Sequence, residues 1–516
     1  MARRSLKYNT AILTVTGFVV KAIGFVYRVL IANGIGTEGL GLYQLMTPIY
    51  SLLVLVLSAG ISIAVSRFVA EETSKGLSRI GIKITSISAG IVLAVGIVVS
   101  GILLLNLDAL VLGTTGDIRT KQSLFWILVF VPPIAAISAY KGYFYGRQEM
   151  IPNSIGQIME QITKLVFVIL MMDSFRGKGV ESMCLLAVLA MLIGECANVL
   201  VVYVFFLFSK KKWPNEVRSN VKNSKESLIK KIIKTALPIS ANRLILSLLG
   251  TVESLLIPQR LVLSGLTFQE SLKSFGRLTG MASPLVFFPS MLPMSLATAL
   301  VPAIAGAVAG KQYRIANRQI AQSIRLTIIM GLIFTSFFAS CSNELAELVY
   351  PGNDVGAILK LLSFTGVFLY LQHTMLGILN GLARESAILL NTLLGSIIRI
   401  VGIWFLMPLW GVDAYIYSVI AGSLITIAFN FREISKVTGI SIEVGEWMLK
   451  PISATLVGVI FTIVLKYLLT YINIPVKVYQ VLVVLIAFLT LTIAFIVTGI
   501  IKKDDLKRWI LRNSTS

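Results

Sequence analysis

Residues 10–32 read TAILTVTGFVVKAIGFVYRVLIA, an apolar run of 23 residues that carries two basic side chains, Lys21 and Arg28. About 20 apolar residues in a helix cross the hydrocarbon core of a bilayer, so this run predicts a membrane span. Lys21 and Arg28 are seven residues apart, which at about 100° per residue places them on one helix face. Because a cation near the bilayer centre costs roughly 2.5 kcal/mol or more, we expect that face to meet a protein interior or a water-filled path.

The rest of the chain repeats this apolar character. Its 516 residues are 56% hydrophobic and 14% charged, with a mean hydropathy of +0.86. Ordinary soluble proteins do not show such values, so the chain is predicted to be an all-α, multi-pass protein of the cell membrane. Fourteen stretches have the length and composition of a span: 10–32, 42–65, 84–105, 122–140, 154–172, 182–208, 235–257, 277–303, 321–341, 356–380, 386–407, 411–430, 451–470 and 478–501.

The basic residues between these spans predict the orientation. With the N-terminus inside, the cytoplasmic segments hold about 30 Lys and Arg, and the external loops hold about seven. The topology is therefore predicted to be N-in and C-in. This bias accounts for most of the net charge of +22. No nucleic-acid partner is expected, because the chain has no soluble domain and no basic patch interleaved with aromatic residues.

A weak internal repeat divides the chain. At a constant separation of 235 residues, Gly142 aligns with Gly377 and Lys164 with Arg399. Each repeat holds six spans, so the two repeats are expected to run the same way through the membrane, and transporters of this type bind substrate between them. The basic segment 209–234 either lies on anionic headgroups or is solvated. The predicted domains are a first lobe 1–208, a cytoplasmic linker 209–234, a second lobe 235–431, and two further helices with a cytoplasmic tail 432–516.

Several basic residues lie inside the predicted spans. Arg325 and Lys466 are near span ends and are expected to reach the headgroups with their charged tips. The others mark a polar path, in which a cation can bind an anionic substrate. The candidates for substrate binding from this reasoning are Lys21, Arg28, Lys164, Arg277 and Arg399.

Polar residues form stripes at helical spacing in three spans. In 154–172, Glu160 precedes Lys164 by four residues, the favourable order for an ion pair. The related span 386–407 carries Asn391, Gly395 and Arg399 at the same spacing. In the seventh span, which begins at 235, Asn242, Glu253 and Arg260 share one face. Such stripes either hold helices together or line a cavity, and three stripes in related halves favour a cavity. The candidates for a polar lining or for ion coupling are Glu160, Glu253, Asn242 and Arg260.

The sequence offers no constellation of catalytic residues, and we expect neither an enzyme nor a cofactor or metal site. Its single histidine, His373, and its three cysteines lie on apolar spans without the spacing of metal ligands. Prolines inside the spans predict bent helices instead. The span 277–303, with four prolines, is the strongest candidate.

The stretch KAIGFVYRVLIANGIGTEGLGLYQL (21–45), followed by AVSRFVAEE (64–72), resembles the polysaccharide-transporter branch of the multidrug/oligosaccharidyl-lipid/polysaccharide (MOP) flippase superfamily. Within that branch the likeness is greatest to sporulation-associated relatives of the lipid II flippases. It covers essentially the full length, including an arrangement of two six-helix lobes and two extra helices.

The resemblance implies that two lobes alternate access to a central cavity and move a polyprenyl-pyrophosphate-linked sugar from the inner to the outer leaflet. In the lipid II flippases, cationic residues of spans one, two and eight line that cavity, and the matching positions here are Lys21, Arg67 and Arg277. Spans thirteen and fourteen resemble a groove for the lipid tail. One departure is Tyr27, where that branch has an arginine.

Two other classes remain open. A cation-coupled multidrug exporter of the same superfamily shares the fold but needs carboxylates, for which Glu160, Glu195 and Glu253 are available. A scaffold protein of the cell envelope needs no charged stripes. The expected partners are a lipid-linked oligosaccharide and membrane lipids. The chain is expected to act as a monomer, alone or with the cell-wall synthesis machinery.

Overall fold

Helices make up the described part of the protein, which contains no strand. The structure, a computed structural model, describes residues 6–58, 60–75, 78–211, 225–440, 445–472 and 474–500; for 6–11, 78 and 225–242 it describes the backbone alone. An all-helical chain satisfies every backbone hydrogen bond within each segment, which a bilayer requires. The predicted all-α class is confirmed.

Contacts between residues divide the chain into two compact units, Met1–Pro258 and Gln259–Ser516. The boundary falls inside a helix that the sequence assigns to the second lobe, and the predicted domain bounds stay a prediction. Residues 212–224 of the predicted linker lie outside the described part. The helices that begin in the first unit are α1 Leu6–Ser58, α2 Ile61–Ser74, α3 Ser78–Leu105, α4 Leu107–Thr114, α5 Lys121–Gly146, α6 Ile151–Phe175, α7 Val180–Lys211 and α8 Lys225–Val262.

In the second unit, the end of α8 is followed by two short helices that a π-helical segment connects. A π-helical segment, Gly276–Ala282, joins the first two helices, and a 3₁₀ turn, Phe288–Ser290, follows them. The helices are α9 Phe268–Phe275, α10 Ser283–Phe287, α11 Met291–Ala309, α12 Tyr313–Ser340, α13 Ser342–Val349, α14 Gly356–Ser363, α15 Thr365–Gly381, α16 Glu385–Trp410, α17 Val412–Thr438, α18 Lys450–Thr470 and α19 Val476–Val497.

Twelve of the described helical segments are long and apolar enough to cross a membrane, or thirteen if the bent pair α14 and α15 counts as one span. The first segment, Ile12–Ser74, has 63 residues and contains two of the predicted spans. A straight helix of that length would measure about 95 Å, roughly three times the hydrocarbon core. The chain is therefore a multi-pass membrane protein, while the count of fourteen and the N-in, C-in topology stay predictions.

The two predicted spans within α1 are separated by a break at Gly36. Its backbone has φ 71° and ψ 173°, a conformation that only glycine adopts at low cost. Beyond the break, Glu38 is buried and accepts a 2.7 Å hydrogen bond from Arg119, which also pairs with Asp117 at 2.7 Å. This ion triad ties the second half of α1 to the turn that precedes α5.

The repeat predicted from sequence also appears in the packing inside each unit. A methyl group on Gly142 of α5 would lie 2.5 Å from the Ser62 carbonyl oxygen of α2, and one on Gly377 of α15 would lie 2.6 Å from the Ala297 carbonyl oxygen of α11. Ser62 and Ala297 are themselves 235 residues apart. A second set of contacts repeats at that separation: Gly146 with Ser66, and Gly381 with Val301. Each unit therefore packs one helix against another through the same two glycine positions.

The proline-rich span 277–303 is broken, as its sequence predicts. Pro284 lies in the first turn of α10 and Pro289 in the 3₁₀ turn, where each removes a backbone donor that a continuous α-helix would need. The Ser283 hydroxyl donates to the Leu278 carbonyl at 2.7 Å and satisfies one acceptor of the π-helical segment. By contrast, α5 runs through Pro132 and Pro133 without interruption.

The last two helices, α18 and α19, pack against α12 and α13. Ile333, Ala454 and Phe495 belong to the buried apolar cluster between them. Lys466, which the sequence predicts to reach the headgroups, instead pairs with Glu344 of α13 at 2.6 Å. Its charge thus holds α18 against α13 within the second unit.

Candidate functional site: the charged residues of the two units

Lys21 and Arg28 both lie on α1 and have exposed side chains, while Tyr27 and Ile31 of the same helix are buried. Thr14 is also exposed and precedes Lys21 by seven residues, so three polar side chains form one stripe along the helix. Because most other residues of the run 10–32 are apolar, the stripe needs a polar surrounding in the membrane. The structure supports the predicted shared face of Lys21 and Arg28.

Arg67 adds a third exposed cation to the first unit. It lies on α2, whose residues Ala64, Val65 and Val69 are buried against the neighbouring helices. Among the described residues, neither Arg28 nor Arg67 pairs with an acidic side chain. A guanidinium group can bind an oxyanion by donating two parallel hydrogen bonds to it.

Lys164 has a different environment from these three cations. Its ammonium group lies 2.5 Å from a carboxylate oxygen of Glu160, one turn earlier on α6, and each residue is 9% exposed. Asn198 of α7 donates to the second Glu160 oxygen at 2.9 Å, and Gln161 donates to the first at 3.1 Å. The charge of Lys164 is therefore compensated within the helix pair, and its predicted role in substrate binding stays a prediction.

Glu195 is a second carboxylate beside this pair. It lies on α7, accepts a hydrogen bond from the Tyr50 hydroxyl of α1, and interacts electrostatically with Glu160 and Lys164. Three helices of the first unit thus bring two carboxylates and a lysine together inside an apolar protein. Such a cluster can exchange a proton or hold a small cation.

In each unit, the basic side chain of the repeated stripe, Lys164 or Arg399, packs against a glycine of the following helix. A methyl group on Gly194 would lie 2.4 Å from Cγ of Lys164, and one on Gly422 would lie 2.7 Å from Cγ of Arg399. The two cations are 235 residues apart but the two glycines 228. The connection before α17 is three residues shorter than the one before α7, and Gly422 lies four residues nearer the start of its helix than Gly194 does. The repeat therefore extends to the way α6 packs on α7 and α16 on α17.

The acid partner is not repeated in the second unit. Gly395 occupies the position equivalent to Glu160, and Arg399 donates to the Ser396 hydroxyl at 3.1 Å while remaining partly exposed. Asn391, on the same predicted stripe, is buried and donates to Asn430 at 2.9 Å. The stripe of α16 therefore holds helices together at Asn391 and presents a cation at Arg399.

The predicted stripe of α8 is described only in part. The side chain of Asn242 lies outside the described residues, and Glu253 is half-buried. The Arg260 guanidinium stacks on Trp404 of α16, 3.1 Å from the ring centroid. A stacked guanidinium is held by the face of the ring and keeps its donors at the edge.

Arg277 is the second residue of the π-helical segment and is partly buried. One of its terminal nitrogens lies 3.9 Å from a carboxylate oxygen of Asp354, which exceeds a hydrogen-bond distance. Its Nε is buried and has no hydrogen-bond partner among the described residues. π-helical turns of this kind are frequent at functional sites.

Sequence reasoning did not assign several of these residues, Tyr50 and Asp354 among them. Tyr50 is one more aromatic residue in an apolar run, and Asp354 lies in an acidic loop between two predicted spans. Their partners come from distant helices, so no local spacing points to them. Within the described residues, no three metal-ligating side chains lie together, and Cys184, Cys196 and Cys341 are not in disulfides.

Two family models match the chain. One, described as polysaccharide biosynthesis protein, matches residues 6–308, and one described as MatE matches residues 279–405. The helical fold and its long apolar helices define a multi-pass membrane protein. The chain belongs to the polysaccharide biosynthesis protein family, whose model covers more than half of it.

Two curated relatives come from Bacillus subtilis (strain 168). Stage V sporulation protein B is 28% identical over 472 residues, which cover 91% of each chain. Lipid II flippase MurJ is 24% identical over 495 residues, which cover 88% of each chain. The predicted similarity to sporulation-associated relatives of the lipid II flippases is confirmed.

Two solved structures share the fold. An inward-facing multidrug resistance MATE transporter of the MOP superfamily has a TM-score of 0.64 at 14% identity, covering 82% of this chain and 96% of its own. Lipid II flippase MurJ in an inward closed conformation has a TM-score of 0.62 at 12% identity, covering 93% of this chain and 98% of its own. At these identities the likeness concerns the fold alone.

Proposed function

We propose that this protein is an alternating-access flippase that moves a polyprenyl-pyrophosphate-linked sugar from the inner to the outer leaflet of the cytoplasmic membrane. The cargo we propose is a lipid II-like peptidoglycan precursor or another polysaccharide unit, with spore cortex synthesis as a candidate role. The protein acts as a transporter and not as an enzyme. Its partners are the lipid-linked substrate and the surrounding lipids, and it works as a monomer, alone or beside the cell-wall synthesis machinery.

The observation that carries this proposal is the set of exposed cations on α1 and α2. Lys21, Arg28 and Arg67 are exposed, and neither Arg28 nor Arg67 has an acid partner among the described residues. A pyrophosphate is a multivalent anion, and cations in a medium of low dielectric constant attract and orient it strongly. Membership of the polysaccharide biosynthesis protein family and similarity to a lipid II flippase support the same substrate class.

We propose the following division of roles among these residues. Lys21, Arg28, Arg67 and Arg277 bind the pyrophosphate, and Arg399 supplies a further cation from the repeat. Lys164 sits over Gly194 and beside Glu160, so within the proposal its first task is to hold α6 against α7.

The test is binding of lipid II and of a glycan-free polyprenyl pyrophosphate to the purified protein by native mass spectrometry. Losing a charge-assisted hydrogen bond costs roughly 1.5–3 kcal/mol, so Lys21→Ala should weaken binding about 10- to 100-fold. Lys178→Ala, in the loop after α6, is the matched control and should bind as wild type does. Equal binding by Lys21→Ala and wild type would remove Lys21 from the site.

Two carboxylates of the first unit favour a second candidate, a cation-coupled multidrug exporter. Glu160 and Glu195 lie inside the first unit, where a proton or a small cation can bind them, and a MatE model matches part of the chain. Under this alternative, cationic drugs bind the purified protein and polyprenyl pyrophosphates do not. Glu253→Gln and Glu195→Gln would then abolish drug transport in vesicles.

A further inference from the structure

Arg277 lies near an acidic residue, Asp354, but beyond hydrogen-bond distance from it. Its guanidinium is about one third exposed, its Nε has no hydrogen-bond partner among the described residues, and Asp354 stands 3.9 Å from one terminal nitrogen. At that distance the two groups attract each other but do not share a hydrogen bond. Asp354 therefore lies close enough to attract the Arg277 guanidinium but does not accept a hydrogen bond from it.

Asp354 occupies a loop whose conformation is constrained. The residue has a φ of 49°, in the left-handed region, and its side chain is 90% exposed. Two residues earlier, the backbone N–H of Gly352 lies 3.2 Å from both carboxylate oxygens of Glu347, which fixes the turn to the end of α13. The loop thus holds Asp354 toward Arg277 while leaving its carboxylate in contact with solvent.

We propose that Asp354 is an exchangeable counter-ion of Arg277, which the pyrophosphate of the substrate displaces on binding and which returns as the substrate leaves. This inference rests on the proposed function, in which Arg277 binds the pyrophosphate. An exposed carboxylate beyond hydrogen-bond distance forms a weak pair, whereas a phosphate can accept two hydrogen bonds from one guanidinium. The predicted topology places the loop of Asp354 on the outer side, where the substrate is released.

The counter-ion lowers the affinity of Arg277 for phosphate, because the substrate must first replace it. Removing the charge of Asp354 should therefore strengthen binding and slow release of the pyrophosphate. The effect should require Arg277, since Asp354 acts only through that residue.

The test uses the full-length protein and undecaprenyl pyrophosphate as the probe. Asp354→Asn removes the charge and keeps a residue that tolerates a positive φ. We expect Asp354→Asn to bind the probe about two- to fivefold more tightly, the range of a weak exposed ion pair, and to release it more slowly. In an Arg277→Gln background the same change should have no effect. Asp413→Asn, an exposed acid in the first turn of α17, is the charge-matched control and should not alter binding.

A second readout is independent of the substrate. Phenylglyoxal modifies exposed arginines, and peptide mass spectrometry reports the rate at Arg277. Asp354→Asn should accelerate this modification; an unchanged rate, or equal tightening in the Arg277→Gln background, would overturn the counter-ion proposal. If the rate increases but undecaprenyl pyrophosphate fails to protect Arg277 in wild type, the ion pair stands and the proposed function fails.

Discussion

The Glu160–Lys164 pair illustrates what single residues in this chain predict. Their spacing of four predicts an ion pair, and the structure places the charged groups 2.5 Å apart. The burial of this pair could not be predicted, because Asn198 and Gly194, which surround it, belong to α7 and contact α6 only after the helices pack. The same holds for Arg277 and Asp354, which are separated by several helices in the sequence. Local spacing thus identifies candidate charges but not their partners.

Breaking this pair should be costly. Glu160→Ala leaves the Lys164 ammonium buried without its partner, and we expect a loss of about 3–5 kcal/mol in stability. The measurement is the apparent melting temperature of the purified protein in detergent. The double variant Glu160→Met with Lys164→Met removes both charges and should recover most of the loss. A single variant as stable as wild type would show that the pair contributes nothing to the helix contact.

At the scale of helices, apolar run length and prolines predict most elements, including the broken span 277–303. The bend of 46° between α14 and α15 was not predicted, since the run 356–380 contains no proline. There the Ser363 carbonyl accepts a hydrogen bond from Thr335 of α12 at 3.0 Å, and the Ser363 hydroxyl donates to the Lys360 carbonyl. A side chain from another helix therefore satisfies a carbonyl at the bend, and the sequence of this run alone does not reveal that contact.

The repeated glycine contacts predict the outcome of small substitutions. Gly142→Ala places a methyl group 2.5 Å from the Ser62 carbonyl oxygen, so α2 must move and stability should fall by roughly 1–3 kcal/mol. Gly377→Ala should behave in the same way in the second unit. The matched control is Gly90→Ala on α3, which meets open space and should gain about 0.5–1 kcal/mol from helix propensity. Thermal stability in detergent measures all three, and equal effects at Gly142 and Gly90 would contradict the packing account.

At the scale of the whole molecule, the distribution of Lys and Arg predicts the topology. A cysteine introduced at Ser219, in the predicted linker, should react with a membrane-impermeant maleimide only after the cells are opened. A cysteine at Asn353, in the loop that carries Asp354, should react in intact cells. The matched background has Cys184, Cys196 and Cys341 replaced by alanine. Labelling of Ser219→Cys in intact cells would contradict the predicted N-in orientation.

The central claim is that exposed intramembrane cations move a pyrophosphate-linked lipid. The most direct measurement is transport of fluorescent lipid II across reconstituted vesicles, comparing wild type, Lys21→Ala and protein-free vesicles. We predict transport by wild type only, with Lys21→Ala reconstituting at the same level and reduced to the rate of protein-free vesicles. Transport of lipid II by Lys21→Ala at the wild-type rate, or its absence in wild-type vesicles that transport a cationic drug, would contradict the account.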